Sequence, residues 1–317
     1  MAGIHKSTLA ELGRRVGGSK RLERGVPLAP LTTFKIGGPA DYLFRARTSQ
    51  DMVNAVTAAR ELEVPHFVLG QGANILMGDK GFRGLIIRSE QRGIEFLDDS
   101  RVRAAAGEVV FPDLIVATVE RELGGLQHYV GIPSSVGGAI WQNLHFLSPP
   151  PERARTCFIE EVLESCEILT EEGEVRTVNK DYFKFGYDYS ILHERADIVL
   201  SATFHLTHQP KEELRYNMRE NLQWRDDRHP DLWLYPSAGS IFQKIEGVGA
   251  GRLIDQCGLK GFVHGRAEIF HKHANVIVNL GGASAAEIRH LIELAQNTVR
   301  EQLGYQLKPE IGFIGDF

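Results

Sequence analysis

The sequence is poor in cysteine, with only Cys157, Cys166 and Cys257 in 317 residues. The count is odd and no pair has CxxC spacing, so neither a disulfide framework nor a zinc ribbon is expected, and a reducing, cytoplasmic setting is. No apolar run is long enough to cross a bilayer, and the stretch from Met1 to Arg24 is basic but has no apolar core of a secretory signal. Membrane attachment is therefore not expected. There is also no dense run of Lys and Arg, and the formal net charge is −5, which argues against a nucleic-acid partner. His271 and His273 form a His-x-His pair without a third ligand at suitable spacing, so no metal site is expected. The G-x-S-x-G elbow of α/β-hydrolases and the G-x-G-x-x-G fingerprint of Rossmann domains are both missing. No internal repeat or low-complexity tract is present.

What the chain does have is glycine in three clusters: Lys35 to Pro39, Gly70 to Asn74, and Gly131 to Ala139. Glycine accepts positive φ and has no Cβ, so backbone N–H groups can converge on one point. Such nests bind phosphate oxygens. A single cluster is most simply a tight turn. Three in succession suggest a ligand with a long phosphate-containing body.

Hydrophobic residues make up 43% and charged residues 24%, a soluble globular balance in a chain long enough for two or three domains. Residues 1–26 read as a polar extension. Residues 27–90 read as an α/β unit, with Ser49 as N-cap of a helix carrying Met52, Val53, Val56, Ala59 and Leu62, then strands at His66–Leu69 and around Ile86. In residues 91–207 a helix is expected over 111–123, a hairpin over 162–170 and 174–178, and a half-buried strand over 198–206. Residues 208–317 open with a charged surface helix over 211–227 and contain a strand over 275–280. They end with a helix over 284–303, marked by the Ser284/Glu287 capping box and an apolar stripe from Ile288 to Leu303. Taken alone, residues 236–242 read as a turn and Glu310 as an exposed carboxylate. Nothing sets an oligomeric state, and a monomer meets every requirement above.

The segment Thr32-Thr33-Phe34-Lys35-Ile36-Gly37-Gly38-Pro39-Ala40 resembles the opening of the flavin domain in the UDP-N-acetylenolpyruvoylglucosamine reductase (UDP-N-acetylmuramate dehydrogenase) family. Gly70 to Leu76 resembles that family's G-x-G-S-N-L-L loop, with Ala73 in place of serine, and Gly81 to Gly84 matches its next turn. Gly131 to Ala139 resembles G-I-P-G-T-V-G-G-A, and Ser237 to Phe242 resembles S-A-G-S-V-F. His273-Ala274-Asn275, Asn279 to Ala283 and Pro309-Glu310-Ile311 resemble the K-H-A-N, N-x-G-G-A and P-E-V blocks. The series runs in order from Pro27 to Gly315, which makes it far more specific than any one motif.

The resemblance implies an α+β chain. Two subdomains would form an FAD-binding fold of the vanillyl-alcohol-oxidase (PCMH) type, followed by a C-terminal α+β substrate domain. It implies FAD as cofactor, NADPH as reductant and a UDP-sugar substrate in peptidoglycan precursor synthesis. The implied cofactor positions are Lys35, Gly37, Gly38, Gly70, Gln71, Gly72, Ala73, Asn74, Ile75, Gly131, Ile132, Pro133, Ser134, Ser135, Gly137, Gly138, Ala139 and Asn143. The implied substrate positions are Tyr187, Gln243, Lys244, His273 and Asn275. Hydride addition to the β-carbon of an enolpyruvyl ether leaves negative charge on the α-carbon and carboxylate. Ser240 stands at the family's proton-donor position, and a carbanion-like carbon is basic enough to take a hydroxyl proton. Glu310 stands at the second catalytic position, where it would assist as an acid kept protonated by burial.

The third catalytic position departs from the family. Where F-x-Y-R-x-S is usual, the chain reads Phe185-Gly186-Tyr187-Asp188-Tyr189-Ser190, so Asp188 replaces an arginine. A charge pair about 4 Å apart at an effective dielectric near 20 is worth roughly 4 kcal/mol, so the exchange is not neutral. Three arrangements would accommodate it: a cation from Arg153 or Arg155 in the adjacent insert, a protonated or salt-bridged Asp188, or a different substrate. The first is expected. The family's M-N-A-G-A-Y-G is also replaced after Asn143 by Leu144-His145-Phe146-Leu147-Ser148. A different flavin oxidoreductase on the same fold, such as a sugar or alcohol oxidase, and a non-catalytic flavin-binding paralogue are the two other readings.

Overall fold

The fold is that of a computed structural model, which describes residues 4–245 and 247–317. A four-stranded sheet forms first, in the order Leu22–Pro27, Pro39–Ala46, Phe82–Ser89, His66–Leu69. The last three strands run parallel and Leu22–Pro27 is antiparallel to its neighbour. Parallel strands covered on both faces need apolar side chains in unbroken succession. Phe82–Ser89 meets this with Leu85, Ile86 and Ile87. Leu85 and Ile87 join Met52, Val56 and Leu12 under the helices Ser49–Glu61 and Lys6–Arg15, while Ile86 joins Leu28, Leu43 and Met77 on the other face. The N-cap of Ser49–Glu61 is Thr48, whose side chain accepts from the Asp51 N–H at 3.0 Å, so the cap lies one residue before the expected Ser49. The sheet begins at Leu22 and helix Lys6–Arg15 packs on its covering helix, so most of residues 4–26 belong to this unit rather than to a separate extension.

The second sheet has five antiparallel strands in the order Val175–Asn179, Leu163–Leu169, Ile198–His205, Arg101–Ala105, Ile94–Phe96. The hairpin turns at Gly173, whose φ of +92° is left-handed and suits only glycine without strain. Ala202 and Phe204 face one core with Val102, Ala104, Cys166 and Ile168, beneath helix Val136–Gln142. The expected helix over 111–123 is shorter: Val110–Leu114 is a wide turn with extended backbone at Phe111, and the α-helix proper is Ile115–Glu120. The charged helix Lys211–Arg228 buries Leu214 in this second core, so it packs with the second unit although its sequence follows the expected limit at residue 207.

The third unit sets helices Ala250–Gln256 and Ala285–Leu303 against a three-stranded sheet of Val263–His264, Ala267–Ile269 and Ile277–Asn279. Ser284 and Glu287 form the expected reciprocal capping box. This unit is fastened to the first by several contacts. Gly312–Ile314 adds as a parallel strand to Ile75–Met77. The Asp79 carboxylate accepts from the Ala285 and Ala286 N–H groups at 2.7 and 3.0 Å. Asn279 donates to the Phe34 carbonyl at 3.0 Å, and Phe34, Ile36 and Leu76 sit in the third unit's core.

Candidate active site

The three units enclose a cavity of about 1480 Å³. That exceeds the few hundred to 1,000 Å³ of a pocket for one drug-sized ligand, and suits an elongated dinucleotide with a second ligand beside it. Gly70 to Ile75 and Gly131 to Ser135 form part of its wall. The two loops touch: a Cβ on Gly70 would lie 2.6 Å from Ser135 Oγ. Gly72 has φ +63°, and a Cβ there would lie 2.6 Å from the Leu31 carbonyl oxygen. Arg88 fixes the first loop by donating to the Gly70 carbonyl, and the Thr33 N–H donates to the Gly72 carbonyl at 3.1 Å. Ser135 caps helix Val136–Gln142 by accepting from the Gly138 N–H. Within this wall the buried Asn74 Nδ2 has no partner. An unmet donor in a glycine-lined cradle fits a ligand rich in oxygen acceptors, as the pyrophosphate and ribityl chain of FAD are.

A further part of the cavity wall holds Ser240, Glu310, Asp188, Tyr187, Lys244 and His273. Ser240 follows Gly239, whose φ of +74° turns the chain into an extended run. That run is clamped on both sides. Ile241 N–H donates to the Asn275 carbonyl at 2.8 Å, and Glu310 N–H donates to the Ile241 carbonyl at 2.8 Å. Asn275 spends its whole side chain on Phe242, accepting from its N–H at 3.0 Å and donating to its carbonyl at 2.9 Å. Ser240 and Glu310, 70 positions apart in sequence, are thus carried into one cavity by adjacent backbone segments.

The electrostatics of this part favour protonated acids. Burial, then the charge of Asp188, pushes the Glu310 carboxyl up to about 8. Burial also raises Asp188 above the usual carboxylate range, opposed by His145, a Gln142 hydrogen bond and His193. Tyr187 is pushed up to about 12 by burial and by these two carboxyls. Gln142 Nε2 lies 3.5 Å from Glu310 Oε1, and its own Oε1 is buried without a donor. A protonated carboxyl, or a donor on a ligand, would satisfy that oxygen.

Several expected positions lie outside the cavity wall. Gly37 and Gly38 serve close packing instead: a Cβ on Gly38 would lie 2.1 Å from the Asp79 carbonyl oxygen, and one on Gly37 2.8 Å from Met77 Cγ. Neighbouring Lys35 donates to the Pro30 carbonyl at 3.3 Å. Ala139 is buried in the second core, and Asn143 ends its helix in a left-handed conformation while donating to Glu160 and the Gly186 carbonyl. Gln243 is exposed and off the wall, and Asn275 is a clamp behind Ser240. Gly137 and Gly138 do line the cavity.

The expected compensation by Arg153 or Arg155 is corrected by the structure. Arg153 donates to Asn221 and the Glu220 carbonyl, and Arg155 forms a two-pronged pair with Glu161 at 2.8 and 2.9 Å. Neither lines the cavity. The wall also contains residues that the sequence did not single out: Trp141, Gln142, Arg225 and His229. Arg225 lies in a helix whose charge made it read as surface, yet burial lowers its guanidinium to about 10. Burial, aided by Arg225, lowers His229 to about 3. No sequence signal distinguished them.

Comparison with known proteins agrees with this architecture. An FAD-binding-domain family matches residues 40–179, and the C-terminal domain family of UDP-N-acetylenolpyruvoylglucosamine reductase matches residues 230–314. The UDP-N-acetylenolpyruvoylglucosamine reductase of Agathobacter rectalis is 37% identical over 303 residues, covering 92% of this chain and 93% of the relative. That of Caldanaerobacter subterraneus subsp. tengcongensis is 36% identical over 290 residues, covering 92% of each. The crystal structure of the Thermus caldophilus enzyme superposes with a TM-score of 0.75 at 32% identity, over 93% of this chain and 99% of that one. The chain belongs to the UDP-N-acetylenolpyruvoylglucosamine reductase family.

Proposed function

We propose that the chain reduces UDP-N-acetylglucosamine enolpyruvate to UDP-N-acetylmuramate, a step of peptidoglycan precursor synthesis, and that Ser240 and Glu310 handle its protons. The family assignment supports the reaction, the cofactor FAD and the reductant NADPH. FAD, when bound, carries hydride equivalents from NADPH to the β-carbon of the enolpyruvyl ether. Gly70 to Ile75 and Gly131 to Ser135 would hold its phosphate-bearing body, with Asn74 Nδ2 as a donor to an oxygen.

The remaining chemistry falls to the chain. Once the β-carbon has gained hydride, the substrate carries extra negative charge over its α-carbon and carboxylate. Glu310, protonated up to about pH 8, donates a hydrogen bond to that charge. Ser240 gives its hydroxyl proton to the α-carbon and regains one from solvent. One observation supports the reading: the Glu310 N–H to Ile241 carbonyl bond joins the backbone segments that carry Ser240 and Glu310, both of which line the cavity.

Cell shape and division follow from the place of this reaction in cell-wall synthesis, and the three free cysteines are in keeping with a cytoplasmic enzyme. An oxidase on the same fold would be reduced by an alcohol and reoxidised by oxygen. The test is NADPH oxidation by the purified yellow protein with and without the enolpyruvyl sugar nucleotide. Substrate-dependent oxidation is expected, and none would refute the reading.

A further inference from the structure

The catalytic part of the cavity gathers two carboxyls, Asp188 and Glu310, and the substrate would bring a third. Asp188 is 8% exposed and sits in a tight turn at φ +53°. Among the described residues no guanidinium or ammonium pairs with it; its partner is His145, whose Nδ1 lies 3.7 Å from Asp188 Oδ1. Four other bases invite consideration. Arg153 and Arg155 are engaged away from the cavity. His193 is stacked on Trp141 at 3.6 Å between ring centroids, and its Nε2 lies 3.0 Å from the Trp141 carbonyl. Lys244 is exposed, with its ammonium 6.0 Å from the centre of the Tyr187 ring.

His145 differs from all of these in both lining the cavity and pairing with Asp188. It lines the cavity, with its ring held between Tyr187 at 4.6 Å and Phe158 at 5.1 Å. Its Nδ1 also lies 3.2 Å from the Asn143 carbonyl oxygen. The Asn143 carbonyl therefore takes the Nδ1–H, with Asp188 Oδ1 as a longer charge contact, and among the described residues no protein group hydrogen-bonds Nε2. In the protonated ring Nε2–H remains as a charged donor for a ligand. The titratable groups around it are Asp188, Tyr187, Glu310, His193 and Lys244.

Resting on the reductase reading above, we propose that His145, oriented by Asp188 and the Asn143 carbonyl, is the substrate-binding cation of this site and receives the enolpyruvyl carboxylate at Nε2–H. Asp188 is then a positioning residue that acts on the Nδ1 side of the ring. This explains how an aspartate can stand at the edge of an anion-binding site.

The experiment is calorimetric titration of the oxidised holoprotein with UDP-N-acetylglucosamine enolpyruvate near pH 6, comparing the unaltered chain with His145→Gln and His145→Phe. Flavin content and melting temperature establish that each variant is folded. Phenylalanine keeps a ring between Tyr187 and Phe158 without charge, and glutamine keeps a donor without charge. Both variants are expected to bind about 10-fold more weakly than the unaltered chain. Unaltered affinity in either variant overturns the proposal while leaving the reductase reading intact. Failure of the unaltered protein to bind or turn over the compound overturns both.

Discussion

Glu310 feels the charge of Asp188, and that charge adds to burial in holding the Glu310 carboxyl up to about 8. The relationship sets the pH behaviour of turnover. Glu310 acts as the protonated acid, so kcat at saturating substrate is expected to hold at neutral pH and to fall as pH rises through about 8. Glu310→Gln keeps a donor but cannot titrate, so it should reduce kcat and abolish this alkaline fall. Asp188→Asn removes the negative charge that raises Glu310, so the fall should move to lower pH. A profile unchanged by both substitutions would mean that another group titrates.

Ser240→Ala removes the proposed proton donor while leaving the backbone clamp of Asn275 and Ile241 in place. Loss of a positioned proton donor typically costs about 10²- to 10⁴-fold in rate. The expected outcome is that drop in substrate-dependent reoxidation of the reduced flavin, with normal flavin content. Reoxidation at the unaltered rate would remove Ser240 from the chemistry.

Gly72 tests the cofactor cradle. Its φ of +63° and the 2.6 Å approach of the Leu31 carbonyl oxygen leave no room for a Cβ. A left-handed residue with a side chain costs about 1–2 kcal/mol before any clash. Gly72→Ala should therefore yield protein with reduced flavin content, read from the ratio of flavin to protein absorbance. Full flavin content would place the cofactor's support elsewhere.

Asn275 makes both of its side-chain hydrogen bonds to the buried Phe242 backbone. Losing buried hydrogen bonds of this kind costs about 1–3 kcal/mol for each group left unpaired. Asn275→Ala should lower the melting temperature and kcat together, because the Ser240 run loses its clamp. A fall in substrate affinity alone, with unchanged melting temperature, would restore Asn275 to substrate contact.

Much of this was legible in the sequence, and the reasons differ from element to element. Helix Ala285–Leu303 was plain because its cap and apolar stripe are local. The second and third glycine clusters were recognisable because their neighbours repeat a family pattern, and both reach the cavity. The first cluster has the same composition but packs backbone on backbone against the turn at Asp79 and Gly81, which only tertiary structure distinguishes. The pairing of Gly312–Ile314 with Ile75–Met77 joins segments more than 230 residues apart, and no periodicity announces it. Arg155 was expected at the active site because it stands in the insert beside Asn143, but Glu161 at 2.8 Å holds it. His145 was visible only as a departure from a motif, and its meaning came from the 3.7 Å approach to Asp188.

The most direct test is to run the reaction with NADPH in deuterated water and examine the product by NMR. Protonation of the α-carbon from an exchangeable hydroxyl requires deuterium at the α-carbon, in UDP-N-acetylmuramate formed in step with NADPH oxidation. No such product, or NADPH oxidation that is indifferent to the enolpyruvyl sugar nucleotide and depends on oxygen, would contradict a reductase with Ser240 and Glu310 at its centre.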